Sequence, residues 1–426
     1  TLSCSSAASD VYKRQYKPRL RNFEEATNQR HITDEDRFLY KKEGHNPRYK
    51  INIIGTGTMG QEHMYVTTLL SEAQVHGIYD KQRHSLDIAE NEYSRYSSKK
   101  LVLYNDLQFA CNDPDVDALF ICTPNFTHLD VLKVAMKSKK PIFLEKPMAS
   151  TIEDASEIAR LADGYPSFIQ IGLQYRYKAQ YVEAIHEVLE RKTIGDLKTI
   201  SISEHRPPFL DKVKQWNKFS KYSGGTLIEK CCHYFDLINL FAQSHPISIY
   251  ASGGRAFNFT DFVYKNENSD IDDHAFVIIE YQNGIRANFT LNMFSPDFSE
   301  ELILCAEKGR IISSEEYYPK NDGSSNARIQ IELGEEGSSR DSMVSYPSEI
   351  EKSGHHGATF FEHNELIKKL DGFPSNSATV IEGLWSVVIA SAAQQSIESG
   401  RKIDIDDYLE KKRISWIINL RNNDHI

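Results

Sequence analysis

Cysteine is scarce in this sequence: six residues in 426, none of them spaced CxxC. That argues against a disulfide framework and against the usual zinc spacings, so no metal site is expected. Cys4, Cys111, Cys122, Cys231, Cys232 and Cys305 read as reduced thiols of a cytoplasmic protein, with the adjacent Cys231-Cys232 as small packing residues. Long apolar runs are missing as well. None approaches the roughly 20 residues needed to span a bilayer, so no membrane is expected as a partner. Nor is there a basic surplus. Fifty Lys and Arg stand against 60 Asp and Glu, a net charge of −10, which is the wrong sign for a nucleic-acid footprint. The opening TLSCSSAASDVYKRQ has no basic leader followed by an apolar stretch and does not read as a secretory signal. It resembles translated sequencing-adaptor DNA, and about residues 1–15 are expected to be artefactual.

What is present is ample core material, 40% hydrophobic and 11% aromatic, in a chain longer than one core usually organises. The chain is expected to divide into an N-terminal extension (1–48), two domains (49–172 and 173–410) and a tail (411–426). Within the first domain, YKINIIGTGTMG carries Gly55, Gly57 and Gly60 in GxGxxG spacing between a short apolar strand and a helix predicted over Met59 to Glu72. Strand-length apolar runs recur at Val75 to Tyr79, Asp117 to Cys122, Pro141 to Leu144 and Phe168 to Gly172. Helices are expected from Thr127, with a Thr-x-x-Asp cap, and over Thr151 to Asp163. Strands alternating with helices imply a parallel sheet covered on both faces.

In that setting the glycines acquire a mechanism. Gly55 allows the tight turn, Gly57 close approach of backbone to a pyrophosphate, and Gly60 packing of helix on strand. Thr58 and Met59 open the helix whose N-terminus faces the phosphates. Asp80, twenty residues beyond Gly60, is placed to accept both adenosine ribose hydroxyls, which favours NAD. Lys81, Arg83 and His84 follow it and keep NADP as the alternative.

After residue 172 the rhythm changes. A helix over Tyr181 to Arg191 and a strand over Leu197 to Glu204 precede a helix from about Leu227. Strand-like runs then follow at Ile247 to Ala251, Ala275 to Tyr281, Ile285 to Phe294 and Leu302 to Ala306. Asn283-Gly284 is the strongest hairpin signal. A mostly antiparallel sheet is expected, with helices on one face and the other left for a partner subunit. Residues 320–352, rich in Ser, Gly and charge, read as a loop excursion.

Three stretches bear chemistry: CTPNFTH (122–128), FLEKPMAS (143–150) and SGGTLIEKCCHYFDL (223–237). Glu145-Lys146-Pro147 ends a predicted parallel strand, where open α/β sheets bind their ligands. A lysine there can donate to a substrate oxygen; the plainer alternative is a surface lysine. Glu229 and His233, four apart, are expected on one helical face, with Asp236 a turn further on and Lys230 close by. Histidine suits general-base work near neutral pH, and a nearby carboxylate can orient the ring. The plainer alternative is a polar pair on a half-buried helix. Tyr175 and Arg176 follow the linking strand and are expected in the cleft, Arg176 as a substrate ligand. His355-His356 occupies a Gly-flanked turn that could close over substrate.

In this order, GTGTMG, CTPNFTH, LEKP and GGTLIEKCCHYFD resemble the signatures of the glucose-fructose oxidoreductase/inositol dehydrogenase (Gfo/Idh/MocA) family, over about residues 49–405, with inositol 2-dehydrogenase-like members nearest. The resemblance implies a Rossmann dinucleotide-binding domain followed by an α+β domain with a large, mostly antiparallel sheet that supports a homodimer or homotetramer. It implies NAD(P)-dependent oxidation of a sugar or polyol hydroxyl. By position, Lys146 matches a lysine touching substrate and nicotinamide ribose, and His233 matches the catalytic histidine. Glu229 stands where most members carry aspartate, while Lys230 adds a cation to the pocket. Asn125 and His128 match residues lining the nicotinamide, with Thr123, Pro124 and Glu145 beside them on the cofactor side. Two rivals remain: an NAD-dependent glycoside hydrolase using transient redox, and a non-catalytic NAD-binding regulator.

Overall fold

The computed structural model describes residues 47–317, 325–334 and 337–420. The expectations for the N-terminal extension and its first 15 residues lie outside the described residues. From Tyr49 the chain alternates strand and helix: β1 (Tyr49–Ile54), α1 (Thr58–Thr67), β2 (Ala73–Tyr79), α2 (Arg83–Tyr96), β3 (Val102–Tyr104), α3 (Leu107–Asn112), β4 (Ala118–Ile121), α4 (His128–Ala135), β5 (Ile142–Glu145), α5 (Ile152–Asp163) and β6 (Ile169–Gly172). The six strands form one sheet in the order β3-β2-β1-β4-β5-β6, every pair parallel. Strand order reverses between β1 and β4, which opens a crevice at their carboxyl ends, the place where such sheets take ligands. β4, β5 and β6 are buried along their whole length, as a sheet covered on both faces demands.

Local chemistry sets the helix starts. The Thr151 side chain accepts from the Asp154 backbone N–H at the start of α5, as its sequence signal implied. The matching expectation at Thr127 is corrected. That hydroxyl bonds Pro124 O and Thr123 Oγ1 instead, because the chain first makes a short 3-10 turn over Asn125–Thr127.

Beyond β6 come α6 (Ala179–Ile185), β7 (Leu197–His205), α7 (Thr226–Glu229), α8 (Cys232–Ala242) and β8 (Pro246–Gly254). A small ribbon of β9 (Val263–Tyr264) and β10 (Glu267–Asn268) precedes β11 (His274–Tyr281), β12 (Arg286–Asn292), β13 (Phe298–Ala306), β14 (Gly309–Tyr317), β15 (Ser325–Leu333) and β16 (Arg340–Met343). Two helices, α9 (Ala358–Leu370) and α10 (Val380–Ser399), lead to β17 (Ile403–Asp404). The second sheet has nine strands in the order β16-β15-β14-β13-β7-β12-β11-β8-β17, antiparallel except where β12 meets β7. Asn283-Gly284 does turn the β11–β12 hairpin, with Gly284 at φ 90°.

Residues 320–352 are not a bare loop where they are described. Ala327, Ile329 and Ile331 alternate inward on β15, which pairs with β14 on one side and β16 on the other. The flanking Ser and Gly masked a period-2 pattern only a few residues long. One face of the large sheet is buried and the other open: Val277 and Ile279 point inward while Phe276, Ile278 and Tyr250 are exposed. Helix α10 joins the two halves. Gly383 brings it so near β6 that an added Cβ would lie 3.0 Å from Ile171. Ile171 N–H also donates to Ala378 O. Near the end, Trp416 and Lys412 reach back to Ser156 and Glu153 of α5.

Candidate active site

At the crevice, β1 runs through Gly55 (φ 93°) into α1. A Cβ on Gly60 would lie 2.0 Å from Gly55 O, so this glycine is dictated by helix–strand contact. Gly57 is the opposite case: a Cβ there meets nothing within 4 Å, and its negative φ would accept a side chain. The first N–H groups of α1 have no side-chain cap. An uncapped helix start beside open space fits a pyrophosphate. Thr58 is exposed and Met59 half-buried at this opening. Asp80, at the end of β2, accepts from Thr56 N–H (2.9 Å) and Gln82 N–H (2.7 Å), which fixes its carboxylate beside the glycine turn. The residues present therefore suit a dinucleotide.

The loops after β4 and β5 meet across the same crevice. Thr123 and Pro124 are partly exposed; Asn125 is buried and donates to Ser223 O at 3.2 Å. His128 departs from expectation. Its ring is fully buried, with Nε2 2.8 Å from Thr123 O and Nδ1 3.0 Å from Pro147 O. It sits between the two loops, with a backbone carbonyl facing each ring nitrogen. Burial, partly offset by those carbonyls, lowers its pKa. Glu145 is likewise engaged by protein groups. Its carboxylate holds His63 Nε2 at 2.7 Å and the Lys146 N–H at 2.9 Å, and His63 Nδ1 lies 2.7 Å from His363 Nε2. This chain ties α1 and α9 to the strand end that carries Lys146. Nothing in the spacing of His63 or His363 signalled it.

Lys146 follows β5 at a cis Lys146–Pro147 bond. Its Nζ lies 3.0 Å from Glu229 O and 3.4 Å from Glu229 Oε2. Burial alone would lower the lysine's pKa, but the Glu229 carboxylate prevails and raises it, so the ammonium stays charged. The same contact corrects the expected helix. Residues 226–242 form two pieces, α7 and α8, with Lys230 and Cys231 between them. Glu229 O, which an unbroken helix would offer to His233, receives the ammonium instead.

His233 therefore does not share a helical face with Glu229, and its ring is not oriented by a carboxylate. Asp236 is taken up by Arg176, at 2.6 Å to Nε and 2.5 Å to Nη2. Arg176 Nη2 also reaches half-buried Glu382 at 2.6 Å, so its Nε and Nη2 are taken by protein carboxylates, which runs against its assignment as a substrate ligand. Its burial is the physical reason: a charge there requires partners of its own. His233 is 1% exposed and its Nδ1 has no partner among the described residues. Desolvation, followed by the charges of Lys146, Lys230, His355 and Lys178, pushes its pKa well below the usual value. The ring is neutral at neutral pH, with a lone pair available to take a proton.

Lys230 Nζ bonds the Tyr175 hydroxyl and lies 3.2 Å from Glu204 Oε1, a buried carboxylate that the sequence did not single out. Its position as the eighth residue of an otherwise alternating strand was the only available signal. His355 and His356 have φ of 42° and 55° between Gly354 and Gly357. His355 Nδ1 holds Glu62 of α1 at 2.8 Å, and His356 Nδ1 meets Glu315 of β14. They fasten the segment to both halves of the molecule. Cys231 and Cys232 are buried free thiols. Among the described residues no helix is long and apolar enough to cross a membrane, and no group of three or more His, Cys, Asp or Glu could hold a metal.

Against known proteins, residues 49–173 match the Gfo/Idh/MocA oxidoreductase family's NAD-binding Rossmann fold, and residues 186–405 match that family's C-terminal alpha/beta domain. The chain is 29% identical over 238 residues to the uncharacterized oxidoreductase YrbE of Bacillus subtilis (strain 168), covering 55% of this chain and 64% of that protein. It is 27% identical over 242 residues to an inositol 2-dehydrogenase of Pseudarthrobacter chlorophenolicus, covering 56% and 65%. The chain thus spans just under two thirds of the length of these relatives. Among solved structures, a levoglucosan dehydrogenase in complex with NADH and levoglucosan superposes with a TM-score of 0.71 at 16% identity, covering 84% of this chain and 98% of that one. A probable dehydrogenase from Thermotoga maritima gives 0.66 at 20% identity, covering 84% and 99%.

Proposed function

The chain belongs to the Gfo/Idh/MocA oxidoreductase family, and on that premise we propose that it oxidises a CH–OH group of a sugar or inositol-like polyol with NAD. One observation carries the reading. A charged lysine at the end of β5 acts electrostatically on a neutral histidine with an unfilled ring nitrogen, although the chain separates them widely, and this supports the reading. The bound nicotinamide supplies the hydride acceptor. Gly55, Gly57, Thr58, Met59, Asp80, Thr123, Pro124 and Asn125 would hold the dinucleotide, with Gly60 packing the turn that presents them, and Asp80 favours NAD over NADP because a carboxylate repels a 2′-phosphate.

His233 removes the hydroxyl proton while the Lys146 ammonium donates to the oxygen on which charge develops. Glu229 keeps that ammonium charged and aimed. Lys230 supplies a further cation at the pocket wall. Inositol 2-dehydrogenase and levoglucosan dehydrogenase among the similar proteins support a polyhydroxylated substrate. The open apolar sheet face at Tyr250, Phe276 and Ile278 supports a homodimer or homotetramer. Free cysteines among the described residues suit a cytoplasmic location.

The test is a screen of inositol isomers and common hexoses with NAD⁺ and NADP⁺, following accumulation of reduced nicotinamide. Turnover of one or more, faster with NAD⁺, is expected. Sugar release from glycosides without reduced cofactor would replace this reading with redox-neutral cleavage.

A further inference from the structure

Neither of the carboxylates near His233 in sequence orients its ring, since Glu229 is held by Lys146 and Asp236 by Arg176. A buried base with a free Nδ1 still needs something to set its plane. Tyr175 lies against it: the two rings are parallel within 10°, with centroids 4.0 Å apart. Tyr175 is itself confined. Its hydroxyl accepts from Lys230, which Glu204 anchors. Its ring meets Tyr234 edge-on at 5.5 Å. The Lys178 ammonium lies 4.4 Å from its centroid and is held in turn by Glu300 and Glu315.

We infer that Tyr175 is the positioning residue for His233, fixing the plane of the base by stacking where a carboxylate hydrogen bond would otherwise do so. The inference rests on the proposed role of His233 as base. The stack acts a second way once the imidazole takes a proton, because the π face of a phenol attracts the new cation. The strongest charges acting on His233, Lys146 after β5, Lys230 after α7, His355 before α9 and Lys178 before α6, oppose that cation, and the nearby carboxylates Glu229 and Asp236 are taken up by Lys146 and Arg176. The stacked Tyr175 ring favours it.

The test compares Tyr175→Phe with Tyr175→Leu and Tyr175→Met, the last two lacking an aromatic face. Selectively ¹³C-labelled histidine, with the His233 signal assigned by its loss in His233→Ala, gives the ring's titration in the NAD-bound protein without any substrate. In the Leu and Met variants the titration should move to lower pH, and turnover should fall about 10²-fold at unchanged NAD affinity, the scale of a misplaced catalytic group. Tyr175→Phe keeps the stack and should stay within about threefold of the parent on both counts. An unmoved titration in both non-aromatic variants sinks the inference, as does a Phe variant as impaired as Leu, since the hydroxyl would then be the active part. Full turnover in His233→Ala would instead remove the functional reading beneath it.

Discussion

Lys146 and Glu229 stand 83 positions apart in the chain, yet the ammonium of one lies 3.0 Å from the backbone carbonyl of the other and 3.4 Å from its carboxylate. The contact falls where the helix breaks, with His233 on the second piece. It also keeps a buried lysine charged, as stabilisation of a nascent alkoxide requires.

Replacing Lys146 with Met removes the cation and keeps most of the stem. Turnover should fall about 10²–10³-fold, the range for losing one donor to a developing oxyanion, while NAD affinity changes little. His233→Ala should cost about 10²–10⁴-fold in turnover, again with NAD binding intact. Steady-state rates paired with equilibrium NAD titration separate the two effects. A normal rate in either variant would remove that residue from the chemistry.

The glycines of the turn should fail in different ways. Gly57→Ala places its Cβ in open space, so the protein should fold with an unchanged melting temperature while NAD affinity drops at least about tenfold. Gly60→Ala forces its Cβ onto Gly55 O and should cost about 1–3 kcal/mol of stability, the usual penalty for overpacking. Thermal unfolding with and without NAD distinguishes them; equal NAD affinity in Gly57→Ala and the parent protein would contradict the phosphate assignment.

Asp80→Ser should weaken NAD by about 10–100-fold, the worth of a charge-assisted hydrogen-bond pair, and NADP much less. Part of the loss comes from the turn itself, since Asp80 also receives the Thr56 N–H. The ratio of the two cofactors' kcat/KM is therefore the decisive reading. An unaltered ratio would take Asp80 out of cofactor choice.

Arg176→Met leaves Asp236 buried without its partner, takes one partner from half-buried Glu382, and should destabilise the fold by about 3–5 kcal/mol. Denaturant unfolding measures this. If Arg176 were instead a substrate ligand, KM would rise at unchanged stability.

His128, His233 and His363 all have folded pKa values below the ordinary 6.5, chiefly from burial. Unfolding lets them gain protons, so stability should fall as pH drops below about 6.5, by up to about 1.4 kcal/mol per pH unit for each ring. Glu62 behaves differently. Burial would raise it, but His355 and Thr359 hold it down at about 2, so its contribution is lost only as pH falls from 4.5 toward that value. Melting temperatures between about pH 8 and about pH 5 should therefore decline, and His363→Gln should flatten the slope. A flat profile would mean that these rings take up protons as readily in the folded state as in the unfolded one.

The parallel sheet, the glycine turn and the Asn283-Gly284 hairpin were all legible in the sequence. Each rests on short-range backbone sterics or on a period of a few residues. The types of Lys146, His233, Glu229 and Asp80 were legible too, because their motifs are local. The break between α7 and α8 was not, nor the withdrawal of His128, Glu145 and Arg176 into the interior, nor the stacking of Tyr175 on His233. Apart from His128, whose carbonyl partners lie 5 and 19 positions away, these depend on partners scores to hundreds of positions away: a lysine that meets a helix carbonyl, a glutamate on α10 that pairs with a guanidinium, an imidazole from α9 against α1. Sequence spacing determined which groups could reach the crevice. Only the packed chain decided which of them stay there, because a buried charge must find its counter-charge in three dimensions, and whichever pair forms first in energy leaves the remaining side chains to the substrate.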